Sequence, residues 1–584
     1  MNKMIKYFLF ALMLALCACT TPEMGDGQGQ PAIDELPSLS EFPQIEVYTD
    51  KAMYAPGTAV KIMTNKPTNG LGVRYWHLGD VIKEEALSGS KEWTWTPPAE
   101  DYQGYYVEVV AKDANDKLVT LATTAVDVSS EWTRFPRYGY LGRFDDVPEL
   151  KREKILSNLN KHHINALQYY EWGYDHHHPL AGTPEEPWET WPKYLATTNC
   201  DLDVIQGYIR QGHNYNMVSM FYNLCNGLFE SAEEDGCGSD WYIYYDKNHS
   251  RKVYHPLDLS IFRSNLYQCD PGGAEWLEWI AARTADVYKV FDFDGFHIDQ
   301  LGNIGRVYDY YGKEVDLRDG YGKFIQYMKK CFPDKYHVFN AVSNWGQEKI
   351  AAAPVDILYN EVWGYNFRDL KSALDFNRSV DPNRNTVLPA YIHSRHDGYF
   401  NTPSVLFLDA VIFAMGGSHL ELGENLICDI YWPACELKVR PELEEALLEY
   451  YDFLVGYENI LRDGVKESKI NVTSPDVNLC YWQPSVGSVN VYATQGGGKL
   501  MVHFINFKDA AHLNWHDADR TQTEPKLITN FEVTIPCFKK PSRVWAASPD
   551  SKLGAPVELE FVNNGTSVTV KVPSLKYWTM LVVE

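Results

Sequence analysis

The sequence predicts a multidomain fold: a central (β/α)8 TIM barrel flanked by an N-terminal immunoglobulin-like β-sandwich and a C-terminal β-sandwich. Three observations predict it. Between residues 132 and 463 short apolar runs alternate with helical stretches eight times, the pattern of parallel strands joined by crossover helices. At 44–131 and 464–584 the runs are short, closely spaced and punctuated by turn residues, which is how antiparallel sandwiches read. The length of 584 residues also exceeds what one core sustains, since cores stop growing at roughly 250–300 residues.

The elements follow in order. Lys3 and Lys6 precede the apolar stretch 7–16, too short to span a membrane and typical of a secretory signal. Leu16, Cys17, Ala18 and Cys19 read as a lipoprotein cleavage box, so residues 1–19 are expected to be a signal peptide, with Cys19 carrying a lipid that anchors the protein to a bacterial cell envelope, periplasmic or surface-exposed. Residues 20–43, rich in Pro, Gly and acids, read as a flexible tether. In the first sandwich IEVYTD, AVKIMTN, GVRYWHLG, EWTWTPP and GYYVEVVAKD alternate between turn signals. Barrel strands are expected at 138–143, 164–169, 217–222, 293–298, 336–340, 356–360, 386–391 and 418–422. Helices fall between them at 147–162, 202–212, 274–290, 321–331 and 347–353, the first capped by Asp146 with Pro148 in its opening turn. Long inserts at 173–200 and 223–271 follow strand ends and are expected to wall a cleft. Runs such as VNVYATQ, KLMVHFINF and SVTVKV return the chain to β beyond residue 464.

Charge and cysteine usage narrow the function. The balance of 53 basic against 78 acidic residues gives −25, a field that repels polyanions and argues against nucleic acid as a partner. The 11 cysteines form no C-x-x-C pair and have no histidine at zinc spacing, so no metal, cofactor or disulfide framework is expected. The triplet His176, His177, His178 does not change this, because consecutive side chains point in different directions.

Two carboxylates carry the chemistry. Asp299 in DGFHIDQLG and Glu361 in DILYNEVWG each follow an apolar strand and precede a glycine turn, 361 − 299 = 62 residues apart. Strand ends of a parallel barrel form its active face, and two acids on such a face suit glycoside hydrolysis, by retention or inversion according to their separation. Tyr359, Val362 and Trp363 beside Glu361 disfavour its charged form, as a general acid requires; His297, Gln300 and the Gly302 turn offer Asp299 donors that favour an ionised nucleophile.

Seven segments, RYGYLGRFD, INALQYYEWGYDHHHPL, MVSMFYNL, DGFHIDQLG, FNAVSNWG, ILYNEVWG and GGSHLELGE, occur in an order that resembles glycoside hydrolase family 66, which holds endo-dextranases and cycloisomaltooligosaccharide glucanotransferases. The resemblance implies Asp299 as nucleophile and Glu361 as acid/base of a retaining enzyme cleaving α-1,6-glucosidic bonds. Dextran and isomaltooligosaccharides are then its partners. It also implies sugar contacts from Tyr170, Trp172, Tyr222, Asn223, His297, Asn340, Tyr391, His419 and Glu421. One position departs: the motif usually has Asp where this chain has Glu171. Glucanotransferases of the family generally carry a carbohydrate-binding module inserted in the catalytic region, and residues 132–463 have no β-rich insert of that size, which favours hydrolysis. The alternatives are a cycloisomaltooligosaccharide glucanotransferase and a non-catalytic glycan-binding lipoprotein.

Overall fold

The computed structural model describes residues 32–194, 198–394, 397–428, 437–537 and 540–584. The expected signal peptide, Cys19 and residues 20–31 lie outside the described residues. The protein is multidomain, and strands outnumber helices. No described helix is long and apolar enough to cross a membrane.

Among the described residues, eight parallel strands run through the middle of the chain: β1 (Tyr138–Leu141), β2 (Ala166–Tyr169), β3 (Val218–Leu224), β4 (Gly295–Asp299), β5 (Tyr336–Phe339), β6 (Leu358–Tyr359), β7 (Thr386–Pro389) and β8 (Ser418–Leu420). Helices alternate with them: α1 (Glu149–Lys161), α2 (Leu202–Asn214), α3 (Ala274–Val290), α4 (Leu317–Cys331), α5 (Gln347–Ala351), α6 (Phe367–Val380) and α7 (Thr402–Ala414), with α8 (Pro441–Gly456) after β8. One sheet runs β5-β4-β3-β2-β1 and another β6-β7-β8. A parallel bridge between Asn340 and Tyr359 joins β5 to β6, and the Tyr140 N–H donates to Leu422 O at 3.0 Å, joining β1 to the end of β8. Every residue of β1, β2, β7 and β8 is buried, as strands covered on both faces must be.

Helix ends follow local chemistry. The Asp316 side chain caps α4 at the Arg318 N–H, and Asn366 with Asp369 forms a capping box on α6. Asp146 does not cap α1: Pro148 takes the N-cap position, and Asp146 turns at φ 45° with its N–H on Asp201 Oδ2 at 2.9 Å. Helix α7 is buried all round from Ser404 to Ala414 because a second layer covers it, with Phe407 stacked on Phe507 at 5.0 Å and edge-on to Tyr577 at 5.1 Å.

N-terminal to β1, a four-stranded antiparallel sheet (Asp80–Ala86, Gly72–His77, Gln103–Lys112, Leu118–Val128) faces a three-stranded one (Val47–Thr49, Val60–Thr64, Glu92–Trp95). Val60, Ile62, Tyr75, Trp95, Val107 and Val109 fill the space between. The tether expected to run to Pro43 stops earlier. Ile33 and Leu36 bury against Ala86 and Val110, and the Leu39 N–H bonds Lys112 O at 2.9 Å, because two apolar side chains placed three residues apart are better sheltered than solvated. C-terminal to α8, a larger antiparallel sheet centred on Val489–Gly496, Lys499–Asn506 and Trp578–Val583 packs on Ile528–Pro536 and Ser567–Leu575.

Arg137, just before β1, is fully buried and holds three regions together. Its guanidinium meets Asp127 of the N-terminal sheet at 2.6 Å and Glu458 after α8 at 3.4 Å, and donates to the carbonyls of Phe135, His163 and Ala52. Removing one partner of such a cluster strands the remaining charges out of water. Arg137→Ala is expected to lower the unfolding free energy by about 3–5 kcal/mol, read as a drop in denaturant midpoint; a midpoint equal to that of the native protein would contradict this role.

Candidate active site

Register brings the two predicted acids to one level. Strand β4 ends on Asp299, β5 ends one residue before Asn340, and β6 ends two residues before Glu361; Ile298 pairs with Phe339 and Asn340 with Tyr359. The Asn340 side chain then reaches both: Nδ2 donates to Asp299 Oδ1 at 2.8 Å, and Oδ1 accepts the Glu361 N–H at 3.2 Å. Gln300 Nε2 in turn holds the Asn340 carbonyl at 3.2 Å.

The two carboxyls have different surroundings. Asp299 accepts from three donors, the Tyr222 hydroxyl at 2.7 Å, Asn340 Nδ2 and the Gln300 N–H at 2.8 Å. Burial pushes its pKa up, and these three donors pull it back toward the ionised form. Glu361 accepts from the Tyr391 hydroxyl at 2.6 Å and from Trp363 Nε1 at 3.1 Å. Burial, followed by the charge of Asp299, pushes Glu361 up to about 7 against those donors. One carboxyl is thus well supplied with donors, and its neighbour sits where it can hold or release a proton at neutral pH, the arrangement an acid/base pair needs.

The donors differ from those read in the sequence. His297 does not touch Asp299; its Nδ1 lies 3.1 Å from the Tyr138 hydroxyl, and its ring stacks under Tyr222. The Gly302 N–H is taken by Gln300 Oε1 at 2.5 Å. Trp363 is 43% exposed and donates to Glu361, which lowers its pKa, so burial of the carboxyl does the raising and not an apolar neighbour.

Of the expected sugar contacts, Tyr222, Asn340 and Tyr391 bond directly to the acids, and half-buried Tyr170 meets Tyr222 ring to ring at 5.0 Å. The others are corrected. Trp172 is fully buried among Phe221, Phe291, Phe293 and Trp191, with Nε1 on Tyr222 O at 3.2 Å, so neither ring face is open to a sugar. Asn223 spends its amide on His176 and the Leu224 N–H. His297 lies beneath the acids, 1% exposed. His419 and Glu421 are enclosed with Asp409 and Tyr451: His419 Nδ1 is 2.8 Å from Asp409 and 3.4 Å from Glu421, and the Tyr451 hydroxyl donates to Glu421 at 3.0 Å. Burial opposes charge on that imidazole, but the Glu421 and Asp409 carboxyls outweigh it and push His419 up to about 10. Through Nε2, 3.2 Å from Ala390 O, it supports the segment that carries Tyr391.

The sequence reading named no role for three neighbours of the site. Glu171 is a buried carboxyl beside Tyr222 and Asp299, and Lys193 is a buried amine whose charge acts on Glu171. The signal for Glu171 was present: Glu171-Trp172-Gly173 follows β2 by the same two residues as Glu361 follows β6, and repeats its acid, aromatic and glycine sequence with one residue fewer. His516 is the third. From the C-terminal region its Nδ1 reaches Tyr391 O at 2.8 Å and its ring stacks on Tyr365 at 4.3 Å, a long-range contact with no local signature. The inserts 173–200 and 223–271 interlock through Arg263, which bonds Asp175, the Tyr174 carbonyl and Lys193 O; next to it Asp175, His177 and Asp235 approach one another, with the Arg263 guanidinium supplying positive charge.

Removing a donor that serves an ionised carboxyl raises its pKa. Tyr391→Phe is therefore expected to move the Glu361 titration upward by about 1–2 units, a hydrogen bond to a charged group being worth about 1.5–3 kcal/mol. The pH–rate profile measures it, through an alkaline limb displaced to higher pH.

Comparison with known proteins shows what the chain is similar to. A cycloisomaltooligosaccharide glucanotransferase of Niallia circulans is 24% identical over 712 aligned residues, covering 92% of this chain and 71% of that protein. A dextranase of Streptococcus salivarius is 23% identical over 591 residues, covering 87% and 70%. A crystal structure of a Paenibacillus sp. cycloisomaltooligosaccharide glucanotransferase complexed with cycloisomaltoheptaose superposes with a TM-score of 0.84 at 24% identity, over 92% of this chain and 99% of that one. The model of glycosyl hydrolase family 66 matches residues 49–582, and the chain belongs to that family.

Proposed function

We propose that the protein is an endo-acting, retaining dextranase that cleaves α-1,6-glucosidic linkages to release isomaltooligosaccharides. The carrying observation is the Asn340 side chain, which ties a carboxyl supplied with three donors to the backbone N–H of the residue whose carboxyl is raised to about 7. In this reading Asp299 attacks the anomeric carbon and forms a glycosyl ester while Glu361 gives its proton to the departing oxygen; Glu361 then takes a proton from the water that hydrolyses the ester. Tyr391 and Trp363 fix the Glu361 carboxyl, and Tyr222 and Asn340 fix Asp299. Tyr170, Tyr222 and Tyr391 offer aromatic surface to the sugar.

The frame of this reading is a (β/α)8 barrel at 132–463 between a sandwich at 44–131 and another at 464–584. Eight parallel strands, the Asn340–Tyr359 bridge and the Tyr140–Leu422 bond support closure of the barrel. The apolar stretch 7–16 and Cys19 support export and lipid anchoring at a bacterial envelope.

A second reading, cyclising transfer, draws on the relatives named glucanotransferases. Alignment lengths favour hydrolysis. The Niallia circulans alignment takes 712 positions against about 537 residues of this chain (92% of 584), leaving about 175 that this chain lacks. The dextranase alignment takes 591 against about 508 (87% of 584), leaving about 83.

Incubating residues 20–584 with dextran is expected to give linear isomaltooligosaccharides by product mass, with the α-anomer formed first. Cyclic products would transfer the assignment to a glucanotransferase, and β-anomers would end the retaining mechanism. Asp299→Ala is expected to lower kcat by about 10⁴-fold or more with partial rescue by azide, since a covalent nucleophile has been removed.

A further inference from the structure

Glu171 is a third carboxyl at the acid pair, and the hydrogens around it can be counted. It lies against the Tyr222 hydroxyl, whose single hydrogen goes to Asp299 Oδ2 at 2.7 Å. An ionised Glu171 would meet a phenol oxygen with no hydrogen left to give. A carboxylic acid brings its own.

The other side of Glu171 is equally constrained. Its Oε2 lies 3.9 Å from His176 Nε2. Asn223 Nδ2 donates to the His176 carbonyl at 2.9 Å and Asn223 Oδ1 accepts the Leu224 N–H at 2.9 Å, so Oδ1, 2.7 Å from His176 Nδ1, is an acceptor there and Nδ1 carries the hydrogen. Burial pushes His176 down to about 4, and the neutral ring leaves Nε2 as a lone pair, buried and without a hydrogen-bond partner. Between Nε2 and Glu171 is a cavity of about 10 Å³, lined also by Asn223, Tyr194 and Phe229, the room a single water needs.

We propose that Glu171 is a positioning residue that works as a neutral carboxylic acid, donating to Tyr222 so that the Tyr222 hydrogen stays on Asp299, while one water in the cavity donates to Glu171 Oε2 and His176 Nε2. The proposal rests on Asp299 being the nucleophile. The groups facing Glu171 are Tyr222, His176, Lys193, Asp299, Asp175 and Tyr194. Burial, reinforced by the Asp299 charge, outweighs Lys193 and Tyr222 and holds Glu171 at about 8. Ionisation of Glu171 would take the Tyr222 hydrogen from the nucleophile and add a second negative charge beside it. The alkaline fall in kcat/KM is therefore a two-proton event, Glu361 first and Glu171 second.

Glu171→Gln keeps a donor for Tyr222 and an acceptor for the water but cannot ionise. It is expected to retain kcat on dextran within about threefold at pH about 6 and to reduce the alkaline limb to a one-proton slope. Infrared difference spectra of native protein against Glu171→Gln, which need no substrate, are expected to show a protonated-carboxyl band at pH about 6.5 that is lost above pH about 9. An unchanged two-proton limb, a fall in kcat beyond about 100-fold at pH about 6, or the absence of that band would overturn the proposal. If the native protein leaves dextran intact but shows the band, the substrate reading falls and the neutral acid stands.

Discussion

The buried guanidinium of Arg137 is the constraint on which the rest of the arrangement depends. A charge without solvent is tolerated only when carboxylates and carbonyls surround it completely, and here those partners come from the N-terminal sheet, from the residues after α8 and from the turn between α1 and β2. Their geometry fixes where β1 starts. Parallel pairing then passes that position from strand to strand through β2, β3, β4 and β5, so the level at which Asp299 and Asn340 emerge at the far ends is set by a contact at the near end.

At the far ends the logic reverses. Asp299 and Glu361 are half-buried, and their electrostatics are left unbalanced: burial raises both, and hydrogen-bond donors are shared unequally. The layer beneath is neutral and aromatic. Tyr138, Tyr222 and Tyr359 meet the His297 ring there, tilted, stacked and edge-on respectively, with burial pushing His297 down to about 3, so the floor carries no charge that would blur the difference between the two carboxyls.

Much of this was legible in the sequence because it follows from local pattern. Strand-like stretches alternating with helical ones located the eight strands, and the strand, acid, glycine order located Asp299 and Glu361 without structural help. Side-chain direction was less legible. Tyr170 and Trp172 have the same parity and should share a face, but Glu171 between them adopts φ 52°, which breaks the alternation and turns Trp172 into the packing outside the strands. His419 and Glu421 were read as sugar contacts because they fall in a segment that resembles a family motif; their partners Asp409 and Tyr451 come from helices whose distance no local pattern reveals. Asn340 was named, but its double attachment is visible only once β5 lies between β4 and β6.

Helix α7 has a consequence for how the chain is made. Its apolar surface is sheltered by Phe507 and Tyr577, and Phe507 follows Ala414 by 507 − 414 = 93 residues. At about 5–20 residues per second, a ribosome leaves that helix uncovered for about 5–20 s, and longer until Tyr577 arrives. The partly synthesised protein therefore passes through a stage in which its most hydrophobic helix is a surface. The C-terminal sheet ends that exposure, so a segment translated after the strands that carry Asp299 and Glu361 decides whether that earlier part of the chain stays in solution.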